Sequence, residues 1–145
     1  MRPRTTLFLV IISFAASGQS FEQFRVDTSM TLTLAPLDYN SNPTAKRFKT
    51  RITDEYKHGT NFAWRYTFVH WGCGSPCKAS AIVDSRTGKV YDGPPATLGY
   101  SFQKDSRLII VNPKEMIGSL GDCAWCKEER WVWNEDKKTF EKLEK

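Results

Sequence analysis

Apolar and polar residues alternate along much of the chain, and such alternation over several residues predicts a half-buried β-strand. The longest alternating stretch is NFAWRYTFVHW, residues 61–71, which places its Phe, Tyr and His side chains on one face together with Trp64. An earlier stretch is SMTLTLAP, residues 29–36, in which Met30, Leu32 and Leu34 alternate with threonines. Shorter strands are predicted at 79–84, 89–91, 100–103, 107–112, 129–133 and 139–143.

The period changes between residues 44 and 59, where Phe48, Ile52 and Tyr56 follow one another at intervals of four. This spacing forms one apolar stripe on an amphipathic helix, which Thr44 begins and Gly59 ends. A stripe of this kind packs against a sheet. The sequence therefore predicts an α+β fold: an antiparallel β-meander of five to seven short strands, open or curled into a small barrel, with one amphipathic helix.

The first 18 residues have the order of a secretory signal peptide. MRPR supplies two arginines, LFLVIISFAA is a short apolar run, and the small residues of SGQS follow, so we expect cleavage after Gly18. No later segment is apolar enough for a membrane helix. The expected organisation is a signal peptide over 1–18 and one globular domain over 19–145, exported to the periplasm or secreted.

The net charge of the chain indicates which classes of partner it can bind. The chain has 21 basic and 16 acidic residues and a formal net charge of +5. Removal of Arg2 and Arg4 with the signal leaves 19 basic and 16 acidic residues, a net charge of +3. This mixed surface lacks the dense basic face of a nucleic-acid-binding protein.

The four cysteines form two close pairs, Cys73/Cys77 and Cys123/Cys126. An even number of cysteines in an exported chain predicts disulfides, and four cysteines allow three connectivities. Because Cys73 and Cys77 flank a predicted hairpin turn, local pairing is favoured, while cross-linking between the two pairs stays open.

Two alternatives use the same cysteines as thiols. The CxxxC and CxxC spacings are compatible with four thiolates around zinc, although an oxidising compartment works against it. CAWC, residues 123–126, has the spacing of a thiol-redox centre, but a strand rather than a helix is predicted after it, and no βαβ unit surrounds it. We expect no metal and no cofactor.

The segment NFAWRYTFVHWGCGSPCKASAIVDSRTGKVY, residues 61–91, resembles a family of small exported bacterial proteins of unknown function. The shared pattern is Trp-Gly-Cys-Gly-x-x-Cys followed by Ile-Val-Asp-x-x-Thr-Gly-Lys-Val-Tyr. Residues 105–112 and 126–133 resemble later family segments. Cys123 is additional to the pattern, and Trp64 occupies a position where the pattern often carries glycine. The resemblance implies export and a shared fold, and it implies no activity.

No catalytic motif emerges, and the sequence favours a binding or envelope-associated protein over an enzyme. The candidate contact residues are His70, Trp71 and Arg65. His70 and Trp71 border the glycine-rich turn, and an exposed patch of Trp and Arg side chains favours binding of protein or glycan. The expected partner is therefore an envelope or extracellular protein, or a glycan, and not a nucleic acid.

Overall fold

The computed structural model describes residues 18–119 and 123–144. The predicted signal peptide lies outside the described residues, except for Gly18. A 3-10 helix covers Phe21–Phe24. The remaining elements, in chain order, are α1 (Pro43–Arg47), α2 (Lys49–Tyr56), β1 (Tyr66–Gly74), β2 (Cys77–Asp84), β3 (Val90–Asp92), β4 (Tyr100–Phe102), β5 (Leu108–Val111), α3 (Lys114–Gly118), β6 (Glu129–Asn134) and β7 (Thr139–Lys142).

The seven strands form two antiparallel sheets, ordered β1-β2-β3 and β4-β5-β6-β7. Within each sheet every strand pairs with its neighbour along the chain, whereas β3 and β4 lie in different sheets. The predicted α+β fold with seven antiparallel strands is confirmed, and its meander is divided between the two sheets. The sheets are open, and the curled barrel that the sequence also allowed does not form. None of the described helices is long and apolar enough to cross a membrane.

Two apolar clusters enclose the first sheet. One lies between the sheets and contains the fully buried aromatic residues Tyr66, Phe68 and Trp133. The other lies between the first sheet and the helices, where Ile52 and Val83 are completely buried. Because both faces of β1 and β2 are covered, most of their side chains belong to the core.

The single helix predicted over 44–59 is divided into α1 and α2. Phe48 interrupts it with φ −112° and ψ 29°, and its ring packs on Trp71 at a centroid distance of 4.5 Å. The cap also differs from the prediction. Asn42, rather than Thr44, accepts a hydrogen bond from Ala45 N at 2.9 Å, and the proline that follows Asn42 suits the first helical position.

Two predicted strands differ from the structure. β1 starts at Tyr66 rather than at residue 61, because Ala63 and Trp64 have φ values of 44° and 59° and form a tight turn. Residues 29–36 form no strand, although their polarity alternates. Both differences occur on the same surface of the protein.

Candidate functional site

The three candidate contact residues do not form one exposed patch. His70 is exposed in the middle of β1, with its ring centroid 6.0 Å from Phe68 and 5.6 Å from Tyr100. Partial burial, together with the positive charges of Lys78 and Arg51, lowers the pKa of His70. His70 is therefore neutral at pH 7 and offers a ring for stacking rather than a charge.

The expectation that Trp71 and Arg65 are exposed is wrong. Trp71 is 6% exposed beneath Phe48, because α1 and α2 cover this face of the sheet. Arg65 is 9% exposed and donates two hydrogen bonds to Asp84, at 3.0 and 2.6 Å. Its Nη1 also lies 2.7 Å from Glu135. Two carboxylates thus neutralise the buried guanidinium, as a buried charge requires.

Glu135 is the centre of this network. It accepts hydrogen bonds from Tyr66 Oη at 2.6 Å, from Trp133 Nε1 at 2.9 Å and from Lys138 Nζ at 2.7 Å. Partial burial opposes the charged form, but these donors and Arg65 lower the pKa of Glu135 to about 2. Such a carboxylate is a poor proton acceptor at neutral pH. The network joins the two sheets and is better suited to a structural than to a catalytic role.

Both cysteine pairs are local disulfides, which confirms the favoured connectivity. Cys73–Cys77 closes the turn between β1 and β2 with a Cα–Cα distance of 5.1 Å, and Cys123–Cys126 has a Cα–Cα distance of 5.3 Å. No cysteine of the described chain is free, and its His, Cys, Asp and Glu side chains form no cluster of three for a metal ion. Trp125, between Cys123 and Cys126, is 69% exposed.

The most unusual surface is residues 28–34, which we call the unpaired segment. In the part of the chain that the structure describes, residues 27–34 make no hydrogen bond between backbone groups. Val26 N and Ala35 N, just outside this stretch, donate to Asp105 O at 2.9 Å and Ser85 O at 2.7 Å. The segment is therefore anchored at both ends. Within it, Ser29 N donates to Asp27 Oδ1 and Met30 O accepts from a side chain, whereas the backbone groups of residues 31–34 make no hydrogen bond within the described chain.

The side chains of the unpaired segment are also unusual for a surface. Met30 is 44% exposed and Leu34 is 38% exposed. No charged residue occurs between Thr28 and Leu37, in a chain that has 37 charged residues. An exposed, uncharged stretch that carries apolar side chains at alternate positions is a recognised signal of an interaction site.

Trp64 lies beside the unpaired segment and contacts it. Its φ of 59° is strained for a residue with a side chain. The indole Nε1 donates to Met30 O at 2.9 Å, and Lys104 Nζ lies 5.0 Å from the ring centroid. Together with His58, Gly59 and Thr60, these residues line an open groove of about 540 Å³.

Sequence reasoning missed this groove, although both of its components were noticed in the sequence. The alternation at 29–36 predicted a strand, and Trp64 was singled out only for occupying a glycine position. No protein-family model, curated protein or solved structure matches this chain. The family resemblance therefore stays a prediction, and the groove is interpreted from its own chemistry.

Proposed function

We propose that this chain is an exported, non-catalytic binding module, and that its partner is a protein held along the unpaired segment and Trp64. The observation that carries the proposal is an anchored, uncharged stretch of free backbone beside a strained, partly exposed tryptophan. Strained residues cluster where binding or switching takes place. A stretch with free backbone groups favours a protein partner, because another polypeptide satisfies them by main-chain hydrogen bonds.

Two features support export. Both cysteine pairs are oxidised, and disulfides persist in the periplasm or outside the cell. The N-terminal order of basic, apolar and small residues predicts a signal peptide. The proposal places the partner in the same compartment, as an envelope or extracellular protein.

A binding role agrees with the state of the polar groups. Asp84 and Glu135 are engaged by Arg65, and Glu135 is engaged also by Tyr66, Trp133 and Lys138. The groove beside Trp64 contains no carboxylate side chain among its described lining residues. Its threonines, methionine and leucines are suited to packing against another polypeptide.

The test compares retention of proteins by the immobilised chain and its variants. Envelope and cytoplasmic extracts of the producing cells are passed over wild type, Leu34→Lys, Trp64→Gly and Trp125→Ala. Leu34→Lys places a charge on the apolar face, and Trp64→Gly removes the indole while supplying the residue that adopts φ of 59° freely. Trp125→Ala is the matched control, because Trp125 is the most exposed tryptophan and lies outside the groove.

We expect envelope proteins to be retained by wild type and Trp125→Ala and to be lost with Leu34→Lys and Trp64→Gly. Trp64→Gly should remain folded, since relief of backbone strain offsets part of the lost packing. Equal retention by all four proteins, or a dependence on Trp125 alone, would refute the groove as the binding surface.

A further inference from the structure

β1 is an edge strand, and part of its outer side has no partner. The sheet order places β2 on one side of β1 only. On the other side, Asn61 Nδ2 donates to Phe68 O at 3.1 Å, and Phe68 N donates to Asn61 Oδ1 at 2.6 Å. In an antiparallel pair, successive residues direct their backbone groups alternately toward the partner strand and away from it. Since Phe68 faces away from β2, His70 and Gly72 face away from it as well.

The hydrogen bonds of β2 give the same direction independently. Gly72 lies opposite Lys78 in the register of the two strands. The backbone groups of Lys78 exchange two hydrogen bonds with those of Ala96, at 2.8 and 2.9 Å, and therefore point away from β1. Gly72 and Lys78 are thus a pair without hydrogen bonds between them, and His70, two residues earlier, occupies the equivalent position.

The length of the free edge is set by its two ends. Toward the start of β1, the side chain of Asn61 takes the place of a neighbouring strand at Phe68. Toward the end of β1, the Cys73–Cys77 disulfide closes the turn into β2. Residues 70–72 lie between these limits, and in the described chain nothing bonds to their outward backbone groups. An extended peptide can satisfy such groups by main-chain hydrogen bonds.

The free edge is also accessible. His70 and Gly72 are exposed, and a Cβ added to Gly72 would meet no atom within 4 Å. Beside His70 is a pocket of about 180 Å³, lined also by Arg51 and Glu55 of α2 and by Phe102 of β4. The edge therefore lies between a helix and the second sheet, with room for the side chains of an added strand.

Positive charge indicates which strand fits. In the chain that the structure describes, neither Lys78 nor Arg51 forms an ion pair. Together with partial burial, their charges lower the pKa of His70, and Glu55 alone acts in the opposite direction. Because Gly72 has no side chain, no side chain of β1 separates Lys78 from a strand added at this edge.

We infer that residues 70–72 of β1 bind an extended, acidic segment of a partner protein as an added strand, with a carboxylate of that segment paired to Lys78. The side chain opposite His70 is apolar or aromatic and packs on the His70 ring and on Phe102. The acidic side chain follows two positions away, opposite Gly72, because alternate residues share a face. This edge shares no lining residue with the groove beside Trp64, so the inference does not depend on the proposed function.

Charge works against a second copy of the chain at this edge. Two β1 edges laid side by side would bring Lys78 and Arg51 of each copy toward the same residues of the other, and like charges suppress a wrong partner. An acidic segment gains from the same two charges. The contact is short, so the complex should be weak, with a dissociation constant roughly between 10 μM and 1 mM.

The experiment measures fluorescence anisotropy of a short labelled peptide, blocked at both ends, as the protein is raised from about 1 μM to about 1 mM. The acidic probe has the sequence Thr-Val-Phe-Thr-Glu-Val-Thr, and the comparison probe has lysine in place of glutamate. Wild type should bind the acidic probe about fivefold more tightly, because one exposed ion pair replaces one repulsion.

Two pairs of variants locate the probe. Gly72→Pro removes the outward N–H, and a proline is tolerated at an edge position of this kind, whereas Gly72→Ala keeps the donor. Lys78→Gln removes the proposed partner of the carboxylate, and Lys89→Gln, beside β3 at the opposite edge of the same sheet, is its control. We expect Gly72→Pro to weaken binding about tenfold and Lys78→Gln to abolish the preference for glutamate, while both controls bind as wild type does.

The inference is overturned if wild type binds neither probe up to about 1 mM or binds both equally. It is also overturned if Gly72→Pro is folded, as thermal unfolding verifies, and binds as tightly as Gly72→Ala. Should Gly72→Pro unfold, Lys78→Gln decides, because an unchanged preference for glutamate excludes Lys78 as the partner. Failure here is distinct from failure of the proposed function, since Leu34→Lys should bind the acidic probe as wild type does.

Discussion

Replacement of Glu135 by glutamine tests whether the network between the sheets depends on charge. The variant keeps the size of the side chain and an oxygen that accepts one hydrogen bond from Tyr66 or Trp133. It loses the negative charge of the carboxylate, whose Oε1 lies 2.7 Å from Arg65 Nη1 and 2.7 Å from Lys138 Nζ. The pKa of the Glu135 carboxyl is lowered from 4.5 to about 2.

The size of the effect follows from that pKa difference. At about 1.4 kcal/mol for each pKa unit, it corresponds to about 3.4 kcal/mol for a group shielded from water. Since 43% of the Glu135 side chain is exposed, solvent screens part of this interaction. We therefore expect Glu135→Gln to lower the free energy of unfolding at pH 7 by about 1–2 kcal/mol.

The lowered pKa of Glu135 also determines how its contribution to stability changes with pH. Folding lowers the pKa of Glu135, so the unfolded chain binds more protons in acid. The contribution is complete above pH 4.5, is lost as the pH falls toward about 2, and is reduced by roughly half or more at pH 3. Asp84, whose pKa is also lowered, is present in both proteins and shares Arg65 with Glu135, so the difference between the two proteins reports the loss of one of the two carboxylates around Arg65.

The assay is urea unfolding followed by tryptophan fluorescence, without reductant, from pH 7 to pH 3. Glu115→Gln is the control, because Glu115 is exposed in α3 and should unfold as wild type does. A stability difference that stays constant from pH 7 to pH 3 would show that shape or neutral hydrogen bonds, rather than charge, cause it. No difference at pH 7 would refute the stabilising role of Glu135 altogether.

Three further predictions concern cross-links and backbone geometry. Reduction of both disulfides should lower the melting temperature, with a loss of about 2 kcal/mol for each because the closed loops are short; a thiol count on the native protein should find none. Gly88→Ala should lower the free energy of unfolding in urea by more than about 1 kcal/mol, since φ is +70° and an added Cβ would clash with Pro36 O. Gly72→Ala is the control and should lower it less, because an added Cβ there meets open space. Asn112→Ala should cost about 2–3 kcal/mol by the same assay, because two backbone N–H groups, of residues 97 and 98, lose their acceptor.

The strands could be predicted well because they depend on patterns among residues that are close in the sequence. Alternation places Tyr66 and Phe68 toward one core, and the intervening Thr67 and Val69 toward the other side of β1. Short turns then favour pairing of neighbouring strands, as between β1 and β2, whereas β5 and β6 pair across a longer connection that contains α3. The proximity of Cys73 and Cys77 across a hairpin turn likewise favoured the observed disulfide.

The sequence could not predict the exposure of Arg65 or Trp71, because exposure depends on distant segments. The carboxylates that bury Arg65 belong to Asp84 and Glu135, which are 19 and 70 positions farther along the chain. Trp71 is buried because Phe48 interrupts the helix and turns onto it. Alternation assigns a residue to a face, but it does not show which element covers that face.

Trp64 accounts for both places where the predicted strands differ from the structure. With φ at 59°, it turns the chain before β1 begins, so the aromatic alternation from residue 61 is not continuous strand. The same conformation directs the indole to Met30 O, where it lies between the unpaired segment and the rest of the protein. A strained residue of this kind costs about 1–3 kcal/mol. The contacts of its indole hold the segment beside the sheets without pairing it, so this strain maintains a strand-like sequence that has no partner within the described chain.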